Sequence, residues 1–216
     1  SHVDRSITNP RPFVENNVAL SLTLLEYAKT LPELKTFIQI GTDEVFGPAP
    51  IGINHPEWSP HIPSNPYSAS KSAQESIAIA YWRTFDVPLV LTNTMNIIGE
   101  RQDVEKFVPL IIRNLQQGNP VPIHAVKEGE KWISGSRFYL HARNQADALR
   151  FLITHFANAP HRYTDGLERP ERFNVRGETE VRNDEMVLLI AKFLDINLPK
   201  NEIVKFINVY VNCVRY

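Results

Sequence analysis

The chain has 216 residues, of which 23 are basic and 24 acidic, a net charge of -1, and 43% of it is apolar. That length suits one domain, or one with a small appended lobe, around a sizeable core, and the apolar share argues against disorder. The balanced charge gives no electrostatic case for nucleic acid or an anionic membrane as partner, and no apolar run approaches the roughly 20 residues that span a bilayer.

Ser1 to Pro12 reads as loop, because Pro10 and Pro12 delay a helix until about Phe13. A helix is expected from Phe13 to Thr30, with Val14, Val18, Leu22, Leu25 and Ala28 along one side and Leu20, Leu24, Tyr27 and Leu31 along a second. A helix apolar most of the way round is expected to be covered twice, by a sheet and by another body such as a second subunit. Thr36 to Ile40 is a short apolar run closed by Gly41 and Thr42, with Asp43 and Glu44 at its exit. So apolar a strand fits the centre of a parallel sheet, and chemistry gathers beyond the carboxyl ends of such strands.

From Pro48 to Pro66 the chain carries six prolines and Trp58, a connection of unusual length that is either a lid over a site or a surface excursion. Pro66 then suits a first helical position, with Ser64 or Asn65 as cap, in a helix running to about Phe85. A spacing of four puts Tyr67 and Lys71 on one face of it. A tyrosine near its ordinary pKa of about 10 is a poor base, but an ammonium one turn away favours the phenolate. A bare Tyr-x-x-x-Lys is also what a half-buried aromatic beside a solvated charge produces; a strand ending in Gly-Thr-Asp-Glu-Val-Phe-Gly upstream makes the arrangement far rarer.

Pro88 to Asn96 reads as the next buried strand, ending in Asn93, Thr94 and Asn96 at the same crevice as Asp43 and Glu44. Then come a helix over Glu105 to Gln117 stopped by Gly118, a short strand at Val121 to Ala125, and a polar segment from Lys127 to Ser136. A helix from about Asn144 to Phe156, a strand at Arg172 to Val175 and a helix over Asn183 to Leu194 complete the pattern. Cys213 is the only cysteine, so no internal disulfide or thiolate zinc cluster can form, and the histidines show no pair at metal-ligand spacing. With no signal peptide visible, a cytoplasmic protein is the expectation.

Four stretches carry a resemblance: Ser1 to Ile7 (SHVDRSI), Gly41 to Gly47 (GTDEVFG), Asn65 to Lys71 (NPYSASK) and Asn96 with Gly99 (NIIG). Together, and in this order, they resemble the extended short-chain dehydrogenases, within them the nucleotide-sugar 4,6-dehydratases, over Ser1 to about Asp195. The resemblance implies an α/β fold with a partial Rossmann-like, doubly wound parallel sheet and a small C-terminal α+β substrate lobe. Residues 1–118 would belong to the NAD-binding domain and 119–216 mainly to the substrate lobe, with returns to the sheet. It also implies an NAD-dependent lyase, a nucleotide-diphosphate hexose as substrate and a homodimer, with no metal, nucleic acid or membrane partner.

By that resemblance Tyr67, Lys71 and Thr42 carry sugar oxidation, Glu44 and Asp43 are the base and acid of water elimination, and Asn93 and Thr94 lie near the cofactor with Tyr67 and Lys71. Ser1, Asn96, Lys106, His124, Arg137 and Asn174 fall on substrate positions; Lys106 reads equally as a solvated first-turn charge. Asn17 matches an asparagine near the catalytic tyrosine. His124 replaces a usual tyrosine against the base, Asn144 a usual acid, Arg176 a usual glycine, and the tail VYVNCVRY keeps only Arg215 and Tyr216 of the usual motif. UDP-glucose is therefore as allowable as dTDP-glucose. The nine glycines form no glycine-rich turn of the kind that lets a backbone approach a pyrophosphate, so the expectation is a fragment whose first strand-helix units lie upstream, inactive and weak in NAD binding by itself. The alternatives are an epimerase or decarboxylase of the same superfamily, which has no use for both Asp43 and Glu44, or an inactive remnant serving as a binding or dimerisation module.

Overall fold

Leu89 to Thr94 form a strand in which all six residues are buried, and the first of two compact units is layered around it. The computed structural model describes residues 3–49, 52–157 and 167–208. Ser1, Cys213 and the altered tail motif lie outside them. The first unit comprises residues 1–95 and 144–175, the second 96–143 and 176–216. The two units are interleaved in sequence: the chain leaves the first after Met95, returns to it at Asn144, and re-enters its sheet at Glu171.

In the first unit β1 (Phe37–Thr42), β2 (Leu89–Thr94) and β3 (Glu171–Val175) form a parallel sheet in the order β1-β2-β3. Phe37 is level with Leu89, Thr42 with Thr94, and Asn93 with Asn174. Side chains alternate across a strand, so Leu89 and Leu91 pack with Leu25, Ala28, Ala78 and Trp82 on one face, while Val90 packs with Leu152 and Phe156 on the other. Helices therefore cover both faces, the doubly wound arrangement expected. They are α1 (Leu20–Ala28) and α2 (Pro66–Phe85) on one side and α3 (Ala142–Phe156) on the other. Among the described residues the centre of the sheet is β2 rather than β1, whose Ile40 is 45% exposed. An apolar run reports burial of a strand's faces and is silent on its place in the order.

The N-terminal segment also differs from its sequence reading. Val3–Thr8 and Arg11–Val14 are helical, with Pro10 as the N-cap of the second and Pro12 inside its first turn, where a missing N–H costs nothing. A π turn, Glu15–Ala19, then widens the helix before α1. The extra residue rotates the turns C-terminal to it, so Ser21, Leu25 and Ala28 face inward while Leu22 joins Leu20, Leu24 and Tyr27 on the exposed side. The π turn is also where Asn17 donates to Ser70 Oγ at 2.8 Å and, through its carbonyl, accepts from Gln74 Nε2 at 2.8 Å.

In the second unit helices α4 (Phe107–Gln116) and α5 (Asn183–Phe193) pack Ile111, Leu115, Met186, Val187 and Ala191 against Val121 and Ile123 of β4 (Val121–Glu128). The polar segment after Lys127 forms a hairpin. Strand β4 continues to Glu128, turns through Gly129 at φ 61 and returns antiparallel as β5 (Lys131–Ser134). A two-residue hairpin needs such a positive φ, and one glycine in a polar run is the whole of its signal. Strand β6 (Val204–Asn208) lies parallel on the other edge of β4. No helix among the described residues is long and apolar enough to cross a membrane.

Candidate active site

The carboxyl end of β1 builds the site. Thr42 is extended and buried, and its hydroxyl accepts the Glu44 N–H at 3.4 Å, capping a single 3-10 turn, Asp43–Phe46. That cap stops the strand and starts the turn within one residue. Val45 and Phe46 are buried beneath it, leaving Asp43 and Glu44 half-buried on the turn. Gly47 closes the turn at φ 74, where a Cβ would stand 2.3 Å from the Ile62 carbonyl oxygen. Through this close approach the Ile62 N–H reaches the Val45 carbonyl at 2.9 Å, and the proline-rich segment is bound to the acidic turn. The rings of His55 and His61 sit on Phe46 at 5.5 and 5.6 Å.

Helix α2 packs against β1 and this turn. Its start is fixed by a capping box: Asn65 Oδ1 accepts the Ser68 N–H at 2.8 Å and Ser68 Oγ accepts the Asn65 N–H at 3.3 Å, with Pro66 first in the helix. Asn65, not Ser64, is the cap. Tyr67, half-buried, donates its N–H to Ser6 Oγ at 3.2 Å, and its ring meets Phe13 edge to face at 6.3 Å. Lys71 donates from Nζ to the Ile40 carbonyl at 3.0 Å. Burial lowers its pKa, and the charge of Glu75 one turn on pulls it back up.

Glu75 is 1% exposed and closes a network that sequence reasoning missed. Its carboxylate accepts from Arg172 Nη2 at 2.8 Å and from Asn93 Nδ2 at 2.7 Å, and His61 Nε2 stands 3.4 Å away. Arg172, also buried, donates to the Glu57 carbonyl at 3.1 Å and lies over the Trp58 ring at 4.2 Å. Burial pushes Glu75 up to about 7 against the pull of Arg172, Asn93 and Lys71, and it pushes His61 down to about 4, with Arg172 adding to the effect. A signal for Glu75 exists: it continues the stripe of Lys71 toward the buried Ala78 and Trp82. Arg172 carries no comparable signal, since it stands between Glu171 and Phe173 in a strand of mixed character.

Two expected ligand contacts are engaged within the protein. Asn93 is fully buried and donates to Glu75 and to the Thr42 carbonyl, so it braces the strand ends instead of facing a crevice. Asn174 donates to the His55 carbonyl at 2.9 Å and holds the proline-rich segment. Thr94, buried beside Thr42 in the ladder, accepts from Gln145 Nε2 at 3.3 Å. Thr42, Asp43, Glu44, Tyr67 and Lys71 are thus gathered in the first unit, on β1, its turn and α2.

Asn96, Lys106, His124 and Arg137 belong to the second unit. The Asn96 carbonyl accepts the Leu140 N–H at 3.0 Å, and Lys106 is the residue that opens α4. His124 is exposed on β4, level with Ile207 of β6. Arg137 is half-buried and donates to the Ser136 carbonyl at 2.6 Å. No cluster of metal-ligating side chains occurs among the described residues.

Comparison with known proteins places this geometry. The profile described as the NAD dependent epimerase/dehydratase family matches residues 1–175. The chain is 35% identical over 210 residues to the dTDP-glucose 4,6-dehydratase of Haemophilus influenzae, covering 92% of this chain and 56% of that protein. It is 36% identical over 176 residues to a trifunctional UDP-glucose 4,6-dehydratase of Arabidopsis thaliana, covering 80% of this chain and 25% of that one. Among solved structures, Bacillus anthracis dTDP-glucose 4,6-dehydratase in complex with NAD superposes with a TM-score of 0.76 at 28% identity, over 93% of this chain and 58% of that chain. UDP-glucose 4-epimerase of Thermus thermophilus, at 21% identity and a TM-score of 0.78, shares the fold. The chain spans about half the length of the dTDP-glucose 4,6-dehydratases it matches.

Proposed function

The chain belongs to the NAD dependent epimerase/dehydratase family, and from that premise we propose that it carries the catalytic residues of a nucleotide-sugar 4,6-dehydratase acting on dTDP- or UDP-glucose. The observation that carries the reading is the capped turn at the end of β1, which sets two adjacent carboxyl groups on a 3-10 turn against the helix of Tyr67 and Lys71. Oxidation at carbon 4 needs a base for the hydroxyl proton, and Tyr67 next to the Lys71 ammonium is that base, with Thr42 donating to the same oxygen. NAD, held at its nicotinamide end by Tyr67 and Lys71, would supply a hydride acceptor for carbon 4 and a hydride donor for carbon 6.

The new carbonyl makes the carbon 5 proton acidic. Glu44 takes that proton and Asp43 protonates the departing carbon 6 hydroxyl, so water leaves, and Glu44 gives the proton back to carbon 5 when carbon 6 is reduced. Adjacent carboxyls favour this division, because neighbouring negative charges disfavour double ionisation. An epimerase needs Tyr67 and Lys71 and has no step for this pair.

The half-buried ammonium of Lys71 and the phenol of Tyr67 fit the nicotinamide end of the cofactor, whereas the pyrophosphate end needs a glycine-rich cradle that these 216 residues do not contain. NAD binding by this chain alone is accordingly expected to be weak. The exposed Leu20, Leu22, Leu24 and Tyr27 of α1 support a homodimer.

The test is an enzyme completed with the cofactor-binding half of a dTDP-glucose 4,6-dehydratase. Tyr67→Phe is expected to abolish NADH formation, whereas Asp43→Asn keeps oxidation and loses about 100-fold or more in elimination. An NMR assay that found a 4-epimer in place of the 4-keto-6-deoxy sugar would end the dehydratase reading.

A further inference from the structure

Glu75 is overbuilt for a helix charge. Its partners come from four other elements: Asn93 on β2, Arg172 on β3, His61 on the proline-rich segment, and Gly41 on β1, where any Cβ would stand 2.4 Å from Glu75 Oε1. The one titratable neighbour on its own helix is Lys71, four residues earlier and on the same face. Lys71 is half-buried and has a backbone carbonyl as its hydrogen-bond acceptor. Both an ammonium and a neutral amine can donate to a carbonyl, and burial disfavours the ammonium, so a carboxylate on the same helix face bears on which form is held.

We propose that Glu75 is a positioning residue, the counter-charge that holds Lys71 as an ammonium beneath Tyr67; the part assigned to Tyr67 rests on the dehydratase reading above. The rest of the network fits this office. A buried carboxylate by itself takes up a proton; Arg172, at 2.8 Å, opposes this, and above about pH 7 Glu75 stands ionised. His61 is kept neutral by burial, its Nδ1 bound to Ser72 Oγ at 2.7 Å, so the imidazole brings no second cation to Glu75. Arg169 adds repulsion on Arg172 from beside it. The groups that face Glu75 are therefore one cation it serves, Lys71, one that holds it, Arg172, and neutral Asn93 and His61.

The test uses the 216-residue chain and needs no turnover. The ε-methylene of Lys71, 13C-labelled and assigned by Lys71→Arg, is titrated by NMR in the parent, in Glu75→Gln and in Glu75→Gln/Arg172→Met. The double variant removes both buried charges and so restores the fold if the single variant loses it. The Lys71 midpoint is expected to fall by about one pH unit in either variant, since an opposite charge one turn away has gone. An unchanged midpoint in a folded variant overturns the proposal. The product assay reads separately: a shifted Lys71 without dehydration in the completed enzyme removes the dehydratase reading alone, and dehydration with an unshifted Lys71 removes the counter-charge alone.

Discussion

Glu75 in the first unit and Asp184 in the second are each 1% exposed and each held by cations at 2.6 to 3.0 Å, yet their carboxyl groups are displaced in opposite directions. Burial raises Glu75 to about 7 in spite of Arg172, Asn93 and Lys71. Burial also acts to raise Asp184, but Lys200, Ser134 and Arg182 outweigh it and hold the group below its ordinary value. The cations differ more than the acids do. Arg182 and Lys200 have side chains 45% and 44% exposed, so they keep much of their hydration while donating to Asp184. Arg172 is 2% exposed and has given up its own hydration to reach Glu75. Asp184 also stands in the first turn of α5, where the helix dipole favours an anion. Burial of both partners makes an ion pair a liability, and the second unit avoids it by leaving the cations half in water.

The largest effect that would break this contrast is loss of a cation. Arg172→Ala leaves Glu75 buried without its main partner and is expected to cost about 3 to 5 kcal/mol. Lys200→Ala leaves Asp184 with Arg182 and Ser134 and is expected to cost about 1 kcal/mol. Urea unfolding followed by tryptophan fluorescence measures both, and equal losses would show that the exposure of the cations does not matter.

Next in size is Gly41→Ala. The added methyl group would meet Glu75 Oε1 at 2.4 Å and the Thr92 carbonyl at 2.9 Å, one a fixed carboxylate and the other backbone. Overpacking of this kind costs about 1 to 3 kcal/mol. The same substitution should disturb the Lys71 titration, because the carboxylate it displaces is the one facing Lys71. A thermal midpoint equal to that of the parent would mean that the Glu75 pocket is looser than its geometry indicates.

The acidic turn and the helix after it were legible because each rests on local chemistry: Thr42 ends a strand, Asn65-Pro66 starts a helix, and a spacing of four puts Tyr67 and Lys71 on one face. The family resemblance agreed with the profile match and with the layered fold. What stayed hidden is what depends on residues far apart in the chain. Asn93 was read from its place at a strand end and Asn174 from the family resemblance, and neither reading reveals that Asn93 donates to Glu75 and Asn174 to the His55 carbonyl. The π turn was hidden for another reason: a periodic apolar stripe is scored on an unbroken 3.6-residue repeat, and one added residue passes unseen.

The smallest effects concern pH. Glu75, raised in the fold to about 7 from an ordinary 4.5, contributes stability that is complete below about 4.5 and lost as pH rises through 7. His61, lowered to about 4 from 6.5, contributes stability that is present above 6.5 and lost as pH falls toward 4. Over nearly the same interval the two slopes oppose each other, so the parent is expected to be almost flat there. His61→Gln removes one slope, and unfolding free energy should then fall on the order of 2 kcal/mol between pH 4.5 and 7. Asp184 is depressed, so its contribution stands above its ordinary 3.8 and is lost only in stronger acid. Asp184→Asn should therefore lower the whole curve by about 1 kcal/mol, discounted for its half-exposed partners, without tilting it between pH 4.5 and 7. Urea midpoints at the two pH values separate a tilt from an offset. A tilt in Asp184→Asn would place Asp184 in the same class as Glu75, and the hydrated cations of the second unit would then lose their claim to make the difference.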